Sequence, residues 1–222
     1  MRELRRMRRS LLLLLGFIPF LVGAQQARSG PRVGLSMATI SAGQLQWNGL
    51  PKFGPILGWS WDIPWTRQAS FLIEPMYMSK GSLTQNAVLD TWTRVRLGYL
   101  ELPVVIKLSL DTLPGGIFLS GGVIGGYLIN GRQVVKQNGG VTYDQTYNLA
   151  GSTKREQASV SVGLGWDKKQ TSFEVRMQTS ITPFSTVVRG QNLVVALHFS
   201  YYLRKKGGTP KMKKAEEAEE VN

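Results

Sequence analysis

The sequence predicts an all-β chain: an eight-stranded antiparallel up-and-down transmembrane β-barrel. Three observations lead there. Eight stretches alternate apolar and polar residues with period 2, the mark of a strand with one apolar face. The connections between them alternate between short and long. The face opposite the apolar one is made largely of Gly, Ser and Ala, which suit the crowded inside of a narrow barrel better than a water-washed surface. The 222 residues are 42% hydrophobic, with 25 Gly, 10 Pro, one His, no Cys and a formal charge of +13. That composition excludes a disordered chain, a disulfide scaffold, thiolate metal sites and a cysteine nucleophile. One histidine excludes a multi-histidine metal site. No apolar run reaches the roughly 18 residues of a membrane-spanning helix.

Residues 1–24 read as a secretory signal peptide. Arg2, Arg5, Arg6, Arg8 and Arg9 form a basic start, and Leu11 to Val22 is an apolar stretch too short to span a bilayer. Val22-Gly23-Ala24 places small residues before a cleavage point. Cleavage removes five arginines and one glutamate and leaves a basic mature chain.

The barrel is expected over 25–203. Its strands follow in order. Arg32–Thr39 puts Val33, Leu35 and Met37 on the apolar face. Lys52–Ile63 alternates without a break from Phe53 through Leu57, Trp59 and Trp61. Ala69–Ser79 carries Phe71, Ile73 and Tyr77; Arg94–Leu110 carries Leu100, Leu102, Val104, Ile106 and Leu108. Gly116–Ile129 presents Ile117, Leu119, Val123 and Tyr127. Ala158–Trp166, Thr171–Ile181 and Asn192–Leu203 complete the set. Pro64–Gln68, Asp111–Gly115 and Asp167–Gln170 are the short turns, while Ile40–Pro51, Lys80–Thr93, Asn130–Gln157 and Thr182–Gln191 are the long loops. An even strand count puts both termini at the periplasmic, short-turn end. Folding two of the turns sets Leu108 near Leu119 and Leu164 near Val175, apolar against apolar, as correct register requires.

Period 2 does not say which face points outward. A soluble lipocalin-like barrel that binds an apolar ligand also alternates. The membrane reading is preferred because aromatics gather near strand ends. Trp61, Trp65, Phe71, Trp166, Phe173 and Tyr201 fall on the turn side, and Tyr77 and Tyr127 toward the loop side. Two such bands would form interfacial girdles.

The stretches Phe71–Gly81 (FLIEPMYMSKG), Tyr99–Lys107 (YLELPVVIK) and Gly121–Ile129 (GGVIGGYLI) resemble strand motifs of the PorT-like outer-membrane β-barrel family. The resemblance implies an OmpA-like eight-stranded barrel in a bacterial outer membrane. The founding member of that family is linked to secretion across that membrane, and no separate motif here demands that role.

Candidate chemistry lies on the polar face. Asp62, Glu74, Glu101, Lys107, Glu174 and Arg176 are expected inside the barrel, as a salt-bridge network bracing the lumen or, alternatively, a narrow polar conduit. His198 and Ser200 share a strand face, and Glu174 lies within reach in a plausible register. This is the material for a nucleophile, base and orienting acid, as in a lipid A-acting hydrolase. The acid does not follow Ser200 in the chain as it does in such hydrolases. No enzyme activity, cofactor or metal is therefore expected. Arg94, Arg132, Lys136, Lys154, Arg155 and Arg189 fall in the long loops, where they form a solvated, generally basic surface or, alternatively, meet phosphates of lipopolysaccharide. Outer-membrane lipid and envelope or secretion-complex proteins are the expected partners of a monomeric barrel, and nucleic acid is not. Residues 204–222 read as a charged, disordered periplasmic tail.

Overall fold

The computed structural model describes residues 27–42, 50–86, 90–111, 115–137, 140–146, 154–183 and 190–203. The signal segment 1–24, the tail 204–222 and Arg189 lie outside the described residues. Ten strands are present: β1 (Arg28–Ala42), β2 (Leu50–Pro64), β3 (Ala69–Ile73), β4 (Met76–Asn86), β5 (Thr91–Ser109), β6 (Gly115–Gln137), β7 (Gly140–Thr146), β8 (Glu156–Lys168), β9 (Thr171–Ser180) and β10 (Gly190–Tyr201).

Nine of these runs make a closed ring of eight barrel strands. β3 and β4 are two halves of one barrel strand: both pair with β2 on one side and β5 on the other. Register against β5 runs from Ile73↔Val104 to Met76↔Glu101, three residues further along each strand, so nothing slips across the break. The break is local chemistry. Pro75 has no N–H to give the ladder, and the chain compensates with Glu74 N donating to Pro103 O at 3.1 Å and Trp59 N to Pro75 O at 3.0 Å. β10 pairs antiparallel with β1, which closes the sheet and removes its edges over the barrel.

The hairpin registers agree with the alternation: Leu108↔Leu119 and Leu100↔Tyr127 between β5 and β6, and Leu164↔Val175 and Trp166↔Phe173 between β8 and β9. The loop end differs from expectation. The alternation predicts a loop over residues 80–93, yet β4 continues to Asn86 and β5 starts at Thr91. Likewise β6 runs on through Arg132 to Gln137, and β7 folds back on it. Arg132 and Lys136 therefore stand on β6 and not in a loop, and Arg94 stands within β5. Above the membrane both faces of a sheet meet water, so the apolar period fades while the backbone ladder persists.

The faces are sorted in the membrane sense. Leu35, Phe53 and Val123 are 60%, 67% and 61% exposed, on the outside of the ring. Arg32, Lys80, Lys107, Glu74, Glu174 and Arg176 are buried within it. The interior holds small apolar clusters between its charged layers. One comprises Ala38, Ile56, Met76, Met78, Val194 and Ala196, the other Leu97, Tyr99 and Leu128. A soluble ligand barrel would have these faces exchanged.

Candidate functional site

Every strand of the ring sends one or more polar side chains inward, and the ion-paired ones gather in three layers. The layer nearest the short turns joins four strands. Lys107 Nζ lies 2.6 Å from Asp62 Oδ2 and 2.7 Å from Asp167 Oδ2. Arg28 Nη2 reaches the same two oxygens at 2.6 and 2.5 Å. The Arg28 guanidinium stacks 4.1 Å over the ring of Tyr202, which is buried beneath it. Two cations and two anions cancel, as a low-dielectric interior requires.

The middle layer is a square of two arginines and two glutamates. Arg32 Nη1 pairs with Glu74 Oε1 at 2.9 Å, and its Nη2 with Glu174 Oε2. Arg176 Nη1 pairs with Glu74 Oε2 at 2.7 Å, and its Nη2 with Glu174 Oε2 at 2.8 Å. Ser120 Oγ donates to Glu174 Oε1 at 2.6 Å and Ser60 Oγ to Glu74 Oε1 at 3.3 Å. The planar forks of arginine satisfy several carboxylate oxygens at once, which lysine cannot do. Gly163 makes room for this square. A Cβ there would sit 2.4 Å from Ser120 Oγ and 2.6 Å from Glu174 Oε1.

The third layer lies toward the loops. Lys80 pairs with Glu101, donates to Gln157 Oε1 at 3.1 Å and lies 5.1 Å from the Tyr99 ring. Gln178 Nε2 donates to Glu101 Oε1 at 3.1 Å. Higher still, Lys52 Nζ donates to Ser79 Oγ at 2.9 Å and to the Lys80 carbonyl at 3.1 Å.

The six charges expected in the lumen all lie there, distributed over the three layers. Arg28, Arg32, Lys80 and Asp167 join them without having been singled out by the sequence pattern. Strand parity is the signal that finds them: Arg28 and Arg32 share the inward parity of Ser36, Lys80 that of Glu74, and Asp167 that of Ser161. Each stands at the end of an apolar alternation, where a charge reads as a turn or loop residue.

The Ser200, His198 and Glu174 set is brought together, but with Arg32 in its midst. His198 lies opposite Glu174 in the β9–β10 register. Arg32 Nε donates to His198 Nδ1 at 3.2 Å, and Arg32 Nη1 donates to Ser200 Oγ at 3.1 Å. A nucleophile–base pair needs the serine hydroxyl to donate to an imidazole nitrogen. Here Nδ1 accepts from a guanidinium, Nε2 has no hydrogen-bond partner among the described residues, and Glu174 is engaged by two arginines rather than by the imidazole. The Ser200 hydroxyl accepts from Arg32, and no contact from it to the imidazole is present among the described residues. Cells carrying Ser200→Ala should therefore have the same lipid A by mass spectrometry as cells carrying the parent chain. Acylation that changes with the parent and reverts in the variant would restore the hydrolase reading. Among the described residues, no group of three His, Asp or Glu is placed to hold a metal ion.

On the outer face, aromatics mark two levels. Near the turns, Trp65 stacks on Phe71 at 5.2 Å, and Phe173 lies 4.8 Å from Phe199. Trp61, Trp166 and Tyr201 are exposed at the same end. Toward the loops, Tyr77, Leu100 and Tyr127 form one cross-strand row. Ten residues of β6 separate Ile117, beside Trp166, from Tyr127. At roughly 3.3 Å per residue and a tilt near 40°, that is about 25 Å, the height of an outer-membrane apolar band. Beyond the loop-side row, Arg132 grips Asp144 at 2.5 and 2.9 Å across the β6–β7 hairpin, and its hydrogen bonds hold that carboxyl below the usual carboxylate range.

Among solved structures, Ail, the attachment invasion locus protein of Yersinia pestis, is similar at 10% identity with a TM-score of 0.47, covering 80% of this chain and 99% of that one. Neisserial surface protein A is similar at 10% identity and a TM-score of 0.47, covering 79% and 97%. The N-terminal β-barrel domain of Pseudomonas aeruginosa OprF is similar at 10% identity and a TM-score of 0.36, covering 80% and 100%. None of the curated proteins matches the sequence. Residues 23–186 match the model of the outer membrane protein beta-barrel domain. With most of its length in that match, and with a closed ring that is apolar outside and charge-paired inside, the chain belongs to the outer membrane protein beta-barrel domain family and has its place in the bacterial outer membrane.

Proposed function

We propose that this is a non-enzymatic integral outer-membrane protein of PorT type, acting as a structural or interaction protein and as an accessory of an export or envelope assembly. The observation that carries the reading is the lumen. Its three layers of ion pairs engage the candidate catalytic side chains in structural contacts, which leaves the loops, the outer wall and the termini as the surfaces for a partner. The strand motifs at Phe71–Gly81, Tyr99–Lys107 and Gly121–Ile129 support the PorT-type assignment. In this reading residues 1–24 direct export and are removed, both ends of the barrel face the periplasm, and the charged tail 204–222 extends there.

The test is a gel of the mild-detergent-extracted membrane fraction, run with and without boiling. A closed barrel binds less SDS than its unfolded chain, so the unboiled protein is expected to migrate differently from the boiled one. A large unboiled complex supports the accessory role and supplies the partner for identification. A compact monomer band alone supports a stand-alone barrel and removes the assembly role. Recovery in the soluble fraction with no heat shift overturns the proposal.

A further inference from the structure

The outer wall is not uniformly convex. Toward the loop end it carries an open cavity of about 1100 Å³. Its lining is mainly apolar, with Pro75, Leu100, Leu102, Gly125 and Ala158 beside the buried polar Glu101 and Gln157. Leu100 and Leu102 point out of the barrel, so this wall of the cavity faces the bilayer. Gly125 is what deepens it. Along β6 the outward positions run Leu119, Gly121, Val123, Gly125, Tyr127, and a Cβ added at Gly125 would meet nothing within 4 Å.

The upper rim has a different chemistry. Lys154, Arg155 and Glu156 line it with Tyr127. Arg155 is held in place from two directions: its carbonyl accepts from Leu128 N at 2.7 Å, and its Nη1 donates to Tyr127 Oη at 3.2 Å. Two neighbouring cations and a phenol, one acid beside them, sit above an apolar slot at the loop-side aromatic level. Two cations on adjacent residues suit a phosphate monoester, which carries a charge of about −1.5 to −2, better than the single charge of a phosphodiester.

We propose that this groove binds one molecule of a multiply acylated glycolipid bearing phosphate monoesters, of lipid A chemistry, with a phosphate on Lys154, Arg155 and Tyr127 and acyl chain laid over Gly125 between Leu102 and Ala158. The proposal rests on the outer-membrane placement of the barrel and on its loop end facing the outer leaflet.

The test is native mass spectrometry of the full chain released from detergent, offered equal amounts of bisphosphorylated lipid A, phosphatidylglycerol and phosphatidylethanolamine. The parent chain is expected to retain lipid A about tenfold over phosphatidylglycerol, the scale of one additional charge-assisted hydrogen bond. Gly125→Leu adds an apolar side chain to the slot from a position where a Cβ meets nothing within 4 Å, and Arg155→Glu reverses the rim. Each is expected to lower lipid A retention about tenfold while keeping the heat-shifted band. Equal retention of phosphatidylglycerol, or parental retention in either variant, overturns the proposal. Should Arg155→Glu lose the heat shift, Arg155→Gln carries the same comparison. The heat shift reports the barrel and lipid retention reports the groove, so the two readings fail separately. Detergent exposes both rims alike, so the result does not depend on orientation.

Discussion

Replacing Arg32 with methionine is expected to lower the unfolding free energy of the bilayer-inserted barrel by about 3–5 kcal/mol. The readout is the urea midpoint followed by tryptophan fluorescence in lipid vesicles. Arg32 bonds Glu74, Glu174, His198 and Ser200 at once. Methionine is unbranched and apolar, so the variant removes the charge together with the hydrogen bonds to His198 and Ser200. What remains is a buried square with one arginine for two glutamates, and an uncompensated buried charge is what makes breaking such pairs costly. Arg32→Lys should recover only part of the loss, because one ammonium cannot reproduce the fork that reaches two carboxylates, an imidazole and a hydroxyl. Adding Glu174→Gln to Arg32→Met should cost less than the two single losses together, since the pair shares one network. A loss below about 1 kcal/mol for Arg32→Met, the size of an exposed pair, would mean that water reaches the square and the lumen is not sealed at this level.

Val123→Arg carries the second large effect. Val123 stands midway along the outward face of β6, between Val104 and Val160 on the neighbouring strands. An arginine at the bilayer midplane costs roughly 2–4 kcal/mol. Val141→Arg, on the β7 hairpin beyond the loop-side aromatics, should cost less than about 0.5 kcal/mol, as for an ordinary surface change. Both valines are about equally exposed, at 61% and 59%, so exposure alone does not separate them. Only a hydrocarbon layer around Val123 does. Similar small losses at the two positions in the same unfolding assay would place Val123 in water.

The eight barrel strands are legible in the sequence because the bilayer imposes one demand on every outward position, and that demand writes itself as period 2. Where the bilayer ends, the writing stops: β4 continues past Ser79 to Asn86 and β6 past Ile129 to Gln137 with no outward apolar period to betray them. β7 is illegible for the same reason. The lumen is legible by half. Glu74, Glu101, Glu174 and Arg176 sit inside apolar runs and announce themselves, whereas Arg28 and Asp167 sit at strand ends. The catalytic candidate shows what local reading lacks. His198 and Ser200 share a face by parity and Glu174 lies one hairpin away, all near in sequence. The residue that decides their role is Arg32, 166 positions from His198. Only the closure of the ring reveals it.

That closure has a consequence for the order of events in folding. β1 and β10 are the first and last strands of the barrel, and their pairing joins residues as distant as Arg32 and Ser200, 168 positions apart. Hairpins such as β8–β9 need only a few residues to turn, whereas the seam must wait until the intervening strands are arrayed, because the entropy of closing so long a loop is recovered only at the end. Arg32 crosses that seam to Glu174 on β9 and to His198 and Ser200 on β10, while Glu74 is reached across β2 on its own side. The contacts across the seam therefore belong to the finished ring and are absent while the sheet is open. Interactions of this kind slow opening far more than they speed closing. The arginine is a latch: it contributes little to how quickly the chain inserts and much to how long the inserted barrel stays shut.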